Sequence, residues 1–103
     1  MKLTERMQQV IAIGNELATT VTYAEHTVLM TFECRCLTTR KTSASIEVAK
    51  LRVDTHKREC VLTLNEVTES IPWFSNAVME YHTALGEVVQ VYSRLLALGY
   101  TKQ

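Results

Sequence analysis

The chain is poor in the residues that bend a polypeptide: three glycines, one proline, three asparagines and a single aspartate. None of these types occurs between Asn15 and Asp54. Turns are built mainly from them, so their scarcity implies few, long elements and argues against an all-β domain, which needs a turn every ~8–12 residues. Cysteine is scarce too. Three thiols in a chain without secretory features speak against a disulfide framework and imply reduced cysteines. An excess of charge of one sign is also missing, because eleven basic residues balance eleven acidic ones, and global charge therefore selects no partner. Met1–Arg6 lacks the apolar core of a signal peptide, and no uncharged apolar run approaches the ~18 residues that span a bilayer. A soluble, cytoplasmic protein with no membrane contact is expected.

What is present is an apolar ladder near the C-terminus: Ile71, Phe74, Val78, Tyr81, Leu85, Val88, Tyr92 and Leu95, at alternating spacings of three and four. That spacing puts every rung on one face of a helix. Pro72 suits the first turn of this helix and Gly99 its C-terminal cap. A second row, Ala77, Ala84, Val91 and Leu98, widens the face beyond what a two-helix seam needs. At 103 residues and 47% apolar composition, the chain (1–103) reads as one domain with a modest core.

The remaining segments are less decided, because fourteen threonines and eleven valines favour strands while the lack of turn residues favours helices. Thr4 is a plausible N-cap for a first helix that runs securely to Ala18 and, on the helical reading, to residue 38. Val28, Met30, Phe32, Cys34 and Cys36 also alternate as a strand would. Residues 44–69 read as a helix with Ile46, Val53, Cys60, Leu64 and Val67 on one side, or as a hairpin across Thr55-His56-Lys57-Arg58. That turn lacks the Gly or Asn that tight hairpins prefer, which tips the reading to helix. The expected fold is an all-α, three-helix antiparallel bundle (3–38, 44–69, 71–98). The alternative is α+β, with two helices flanking a small antiparallel sheet built from 28–38, 46–54 and 59–67.

Motifs for chemistry are thin. Cys34-Arg35-Cys36 and the His56/Cys60 pair are the metal-like features, but paired C-x₂₋₄-C elements are absent and no metal or cofactor is expected. His26, His56 and His82 are the candidate acid–base groups, and no nucleophile elbow or phosphate-cradling glycine loop accompanies them, so no enzyme is expected. His82-Thr83-Ala84-Leu85-Gly86 resembles the phosphoacceptor segment of histidine phosphotransfer domains, with Leu85 where that family has lysine. A long first helix followed by a loop, two further helices and Glu69-Ser70-Ile71-Pro72 at the second break is similar to tubulin-binding cofactor A, a three-helix chaperone family. That resemblance implies a bundle that needs no active site. Seven basic residues between Arg35 and Arg58 face an all-acidic run from Glu59 to Glu87. No aromatic residue interleaves the basic stretch, so nucleic acid is an unlikely partner.

The function expected from these features is a non-catalytic protein–protein interaction module: an adaptor, assembly subunit, inhibitor or small chaperone, or a homodimer. Its partner-binding residues would be Trp73, Phe74, Val78, Tyr81, Leu85, Val88 and Tyr92, on the wide helix face. The alternative is a small α+β binding module whose basic patch takes nucleic acid or an acidic protein.

Overall fold

A computed structural model describes residues 3–37, 43–65 and 75–102. The order of elements is α1 (Glu5–Leu17), β1 (Thr20–Ala24), β2 (Thr27–Leu37), β3 (Ser43–Asp54), β4 (Glu59–Leu64), α2 (Ser75–Ala97) and β5 (Thr101–Lys102). The three-helix bundle is therefore corrected: the fold is α+β, with two helices and a five-stranded sheet in the order β1-β2-β3-β4-β5 among the described residues. The likeness to tubulin-binding cofactor A, being architectural, falls with it. The first four strands form an antiparallel meander, and β5 adds in parallel beside Glu59 and Cys60.

The helix expected over 3–38 stops at Leu17. Thr4 caps its start, accepting the Met7 N–H at 3.2 Å on its side-chain oxygen. At its end stands the run Thr19-Thr20-Val21-Thr22, whose β-branched side chains lose rotamer freedom in a helix and fit a pleated surface. Thr19 turns the chain into β1 by donating its N–H to the Thr31 carbonyl at 2.9 Å and accepting the Glu33 N–H at 2.9 Å.

Where a helix is expected over 44–69, the described part is a β3–β4 hairpin, because the chain makes its turn without glycine; 66–69 lie outside the described residues. The Asp54 carboxylate accepts the N–H groups of His56 and Lys57, both at 3.0 Å, and Arg58 takes the left-handed conformation at φ 56°. Those bonds hold the Asp54 carboxyl below the usual carboxylate range. The β1–β2 turn likewise does without glycine, with Glu25 at φ 53° between the paired Ala24 and Thr27.

Register explains the threonines. Thr20, Thr31, Lys50 and Thr63 form one cross-strand row, and Thr22, Leu29, Arg52 and Val61 form the next. This face is turned away from the helices, while Val28, Met30, Phe32, Leu51, Val53 and Cys60 on the other face are fully buried beneath them. An antiparallel sheet with one covered face gives this period-two alternation. A bulge places Val48 as an extra buried residue between the pairs Phe32–Ala49 and Glu33–Glu47. Asn65 braces it, donating its N–H to the Val48 carbonyl and its side-chain amide to the Glu47 carbonyl and carboxylate.

α1 lies over β1 and β2, and α2 lies over β2 and β3. Gly14 allows the close approach of α1: a Cβ there would stand 2.8 Å from Val21 Cγ2 and 3.1 Å from Met30 Cε. Gly99 ends α2 at φ 93°, with its N–H on the Leu96 carbonyl and the Tyr100 N–H on the Leu95 carbonyl. This is a Schellman cap, and its apolar contact is supplied by Leu95 and Tyr100, both buried.

Two of the three left-handed sites, Gly99 and Glu25, predict opposite responses. Replacing Gly99 with alanine forces a Cβ into the left-handed region and lowers stability by about 1–2 kcal/mol. Replacing the exposed Glu25 with glycine relieves that strain and raises stability by about 0.5 kcal/mol after the entropic cost of glycine. Urea denaturation with an unchanged m-value checks both.

Candidate functional site

The face of α2 expected to meet a partner divides in two. Ala84, Val88, Val91 and Leu95 are buried in the chain's own core, with Tyr81, Leu85 and Tyr92 partly buried against them. Trp73 and Phe74 lie outside the described residues, as does the side chain of Val78. A neighbouring stripe, Leu85, Val89, Tyr92 and Leu96, repeats at spacings of four, three and four and is displaced toward solvent. Val89 is 63% exposed and Leu96 52%. These two residues were not singled out from the sequence, although the same spacing rule finds them.

The direction of this stripe follows from its neighbours. On one side of α2, Arg94 makes a two-pronged ion pair with Glu16 of α1, at 2.6 and 3.1 Å. This pairing lowers the Glu16 carboxyl pKa and raises that of Arg94. The pair is exposed and serves orientation more than stability. On the opposite side the Tyr92 hydroxyl lies beside the Cys60 thiol of β4. The stripe therefore runs along the β4 flank, away from α1.

There the cover of the sheet gives out. Cys60, Leu62 and Leu64 share the inner face, paired with Val53, Leu51 and Ala49. Cys60 is buried, Leu62 partly so, and Leu64 is 59% exposed. β5 pairs only with Glu59 and Cys60, so among the described residues Val61–Leu64 have no strand on their outer edge. Leu62 and Leu64 of β4 and the row Leu85, Val89 and Leu96 of α2 are thus apolar and only partly covered, and the edge formed by Val61–Leu64 carries no charge and no proline. Natural edges are usually guarded by one or the other.

The other sequence candidates disperse. Cys60 donates its thiol to the Thr101 carbonyl at 3.6 Å, and burial pushes its pKa up. Cys34 is buried six residues along β2 from the strand position opposite Val53, roughly 20 Å away at ordinary strand rise. The cysteines therefore do not converge, and no cluster of three metal-binding side chains occurs among the described residues. His56 meets His26 rather than Cys60, with ring centroids 5.2 Å apart. His82 is exposed, edge-on to Tyr81 at 5.8 Å. Of the basic stretch, Lys50 and Arg52 lie on the outer sheet face, where Lys50 pairs with Glu47 at 3.6 Å, and Lys57 and Arg58 sit in the β3–β4 turn. Arg40, Lys41 and the side chain of Arg35 lie outside the described residues.

Burial pushes the Tyr92 pKa up to about 12, aided by the Cys60 thiol, and also raises that of Tyr100. The folded value for Tyr92 lies above the ordinary 10, so its contribution to stability is full below pH 10 and is lost as pH rises toward 12. The Tyr92 hydroxyl is buried with no hydrogen bond of ordinary geometry. Tyr92→Phe is accordingly expected to keep neutral-pH stability within about 1 kcal/mol of the parent and to make the alkaline loss shallower. Urea midpoints at about pH 7 and about pH 11 read both effects. No protein-family model matches the chain, and no curated protein or solved structure does.

Proposed function

We propose that the chain is a non-catalytic, cytoplasmic protein-interaction module whose working surface is the α2 flank together with the open edge of β4. The observation that carries this reading is that Val89 and Leu96 on the β4 flank of α2, and Leu64 on the inner face of β4, are each more than half exposed. Apolar side chains scattered singly over a surface are ordinary, whereas an apolar helix row with exposed members on the side of an unpaired strand edge has both ingredients of a protein contact. Partly buried Leu85 and Tyr92 continue the strip into the core, so a partner resting on it would meet a firmly held floor. The partner fitting this surface is a protein that brings an apolar face to α2 and an extended segment to Val61–Leu64. Either another protein or a second copy of this chain could do so.

Among the described residues no helix is long and apolar enough to cross a membrane, so the strip is not a spanning segment. Nucleic acid fits poorly, because no aromatic residue interleaves the basic stretch for base stacking and Lys50 is paired with Glu47.

The double variant Val89→Glu/Leu96→Glu tests the reading. Both positions are solvent-exposed, so the urea midpoint should shift by no more than about 0.5 kcal/mol equivalent. Association should fall at least about tenfold, measured as self-association by sedimentation and as partner recovery from the native host. Unchanged self-association together with unchanged partner recovery would count against the surface.

A further inference from the structure

At the end of the molecule where α1 begins, the start of that helix and the β1–β2 and β3–β4 turns surround a cleft of about 330 Å³. Its walls are Thr4, Glu5 and Arg6 from the helix start, His26 from the first turn, and Thr55 and His56 from the second. We propose that this cleft binds a small oxyanion of the sulfate or phosphate type, and that it does so most tightly when His26 and His56 are both protonated.

The two imidazoles come from different hairpins, yet their centroids are 5.2 Å apart with planes inclined by 31°. Their turns are tied together beneath them. Thr55 is 2% exposed and donates both its N–H, at 2.8 Å, and its hydroxyl, at 2.7 Å, to the His26 carbonyl. Arg6 donates to the Thr55 carbonyl at 3.4 Å, which holds its guanidinium at the same wall. The cleft thus collects a permanent cation, two imidazoles able to take up protons, and the positive end of a 13-residue helix. The helix end alone would not make a site; the open cleft, Arg6 and the paired rings do.

Charge around the rings explains the pH dependence. The groups nearest in the surrounding elements are Glu5 and Arg6 of α1, Glu25 beside His26, and Asp54, Lys57 and Arg58 around the second turn. Tyr100, buried nearby, senses Arg6, Arg58 and Asp54. With neutral imidazoles the three cations balance the three carboxylates, and protonating both rings leaves two positive charges in excess. Two protonated rings at that separation repel each other unless an anion lies against them, so anion binding and proton uptake must favour one another. The Thr4 hydroxyl, which accepts the Met7 N–H and keeps its own proton to donate, and the helix start can accommodate the oxygens of such an anion.

The test is a titration of the full chain with sulfate, which stays doubly charged throughout, followed by NMR at the His26 and His56 imidazoles and the Arg6 side chain. Saturable shifts are expected, with a dissociation constant at least about tenfold lower at about pH 5.5 than at about pH 7.5. The His26→Gln/His56→Gln variant, altered only at exposed turn positions, should lose that pH dependence, and Glu5→Gln should bind more tightly at both pH values. Inorganic phosphate and phosphoserine run in parallel separate a free ion from an organic phosphate: the tighter of the two identifies the source. Shifts that grow linearly with sulfate and are matched by chloride at equal ionic strength would overturn the proposal. So would a pH dependence that survives in the double glutamine variant.

Discussion

The packing of α2 along the β2–β3 pair sets the terms for the rest of the molecule. A helix of 23 residues is roughly 34 Å long, and strands of 11 and 12 residues span roughly 36–40 Å, so the three elements match end to end. This match accounts for the elongated outline of 45 × 25 × 19 Å. It also decides which strand face is buried: once Val88, Val91 and Leu95 press on one side of the central pair, Val28, Met30, Phe32, Leu51 and Val53 must point there. Lys50 and Arg52 must then point away. α1 has only the ground over β1 and β2 left, which it can reach because Gly14 has no side chain to hold it off.

Width then produces the exposed strip. Two helices each about 10 Å across cover roughly the breadth of four strands spaced about 4.8 Å apart. Here both helices share β2, so the cover is shifted toward β1 and runs out over β4. Val89, Leu96 and Leu64 are apolar at positions that would be interior if a third layer or a neighbouring sheet stood beside β4. Their exposure therefore follows from where α2 must lie, and it is not a local irregularity of sequence.

How much of this could be read from the chain varies by element. The cap at Thr4, the long C-terminal helix and its end at Gly99 were legible, because each rests on chemistry local to a few residues. The β2–β3–β4 meander was legible only as a rival. Its alternation through Val28, Met30, Phe32 and Cys34 was visible, but helical spacing fitted Ile46, Val53, Cys60 and Leu64 as well. What tipped the balance wrongly was the absence of glycine at the turns. Asp54 supplies side-chain acceptors in place of a glycine turn, while Arg58 and Glu25 take positive φ themselves, a cost that only tertiary pairing of the strands can offset. The meeting of His26 with His56 was not legible at all. Thirty residues separate them, and only the register of two hairpins brings their rings together.

The apolar strip and the cleft lie at different places but rest on one support. α2 ends in the Gly99 cap, after which Thr101 donates its N–H to the Arg58 carbonyl at 2.9 Å and β5 pairs with Glu59 and Cys60. The last turn of α2 is thereby bonded to the turn that carries His56. Cys60 belongs to both arrangements, since it touches Tyr92 of the strip and donates to Thr101 beside the turn. The left-handed geometry at Gly99 is what permits this return of the chain, because a right-handed continuation would carry Tyr100 out of the core and leave Arg58 without its partner. A single backbone conformation thus anchors the helix whose flank is exposed and the hairpin whose turn lines the cleft.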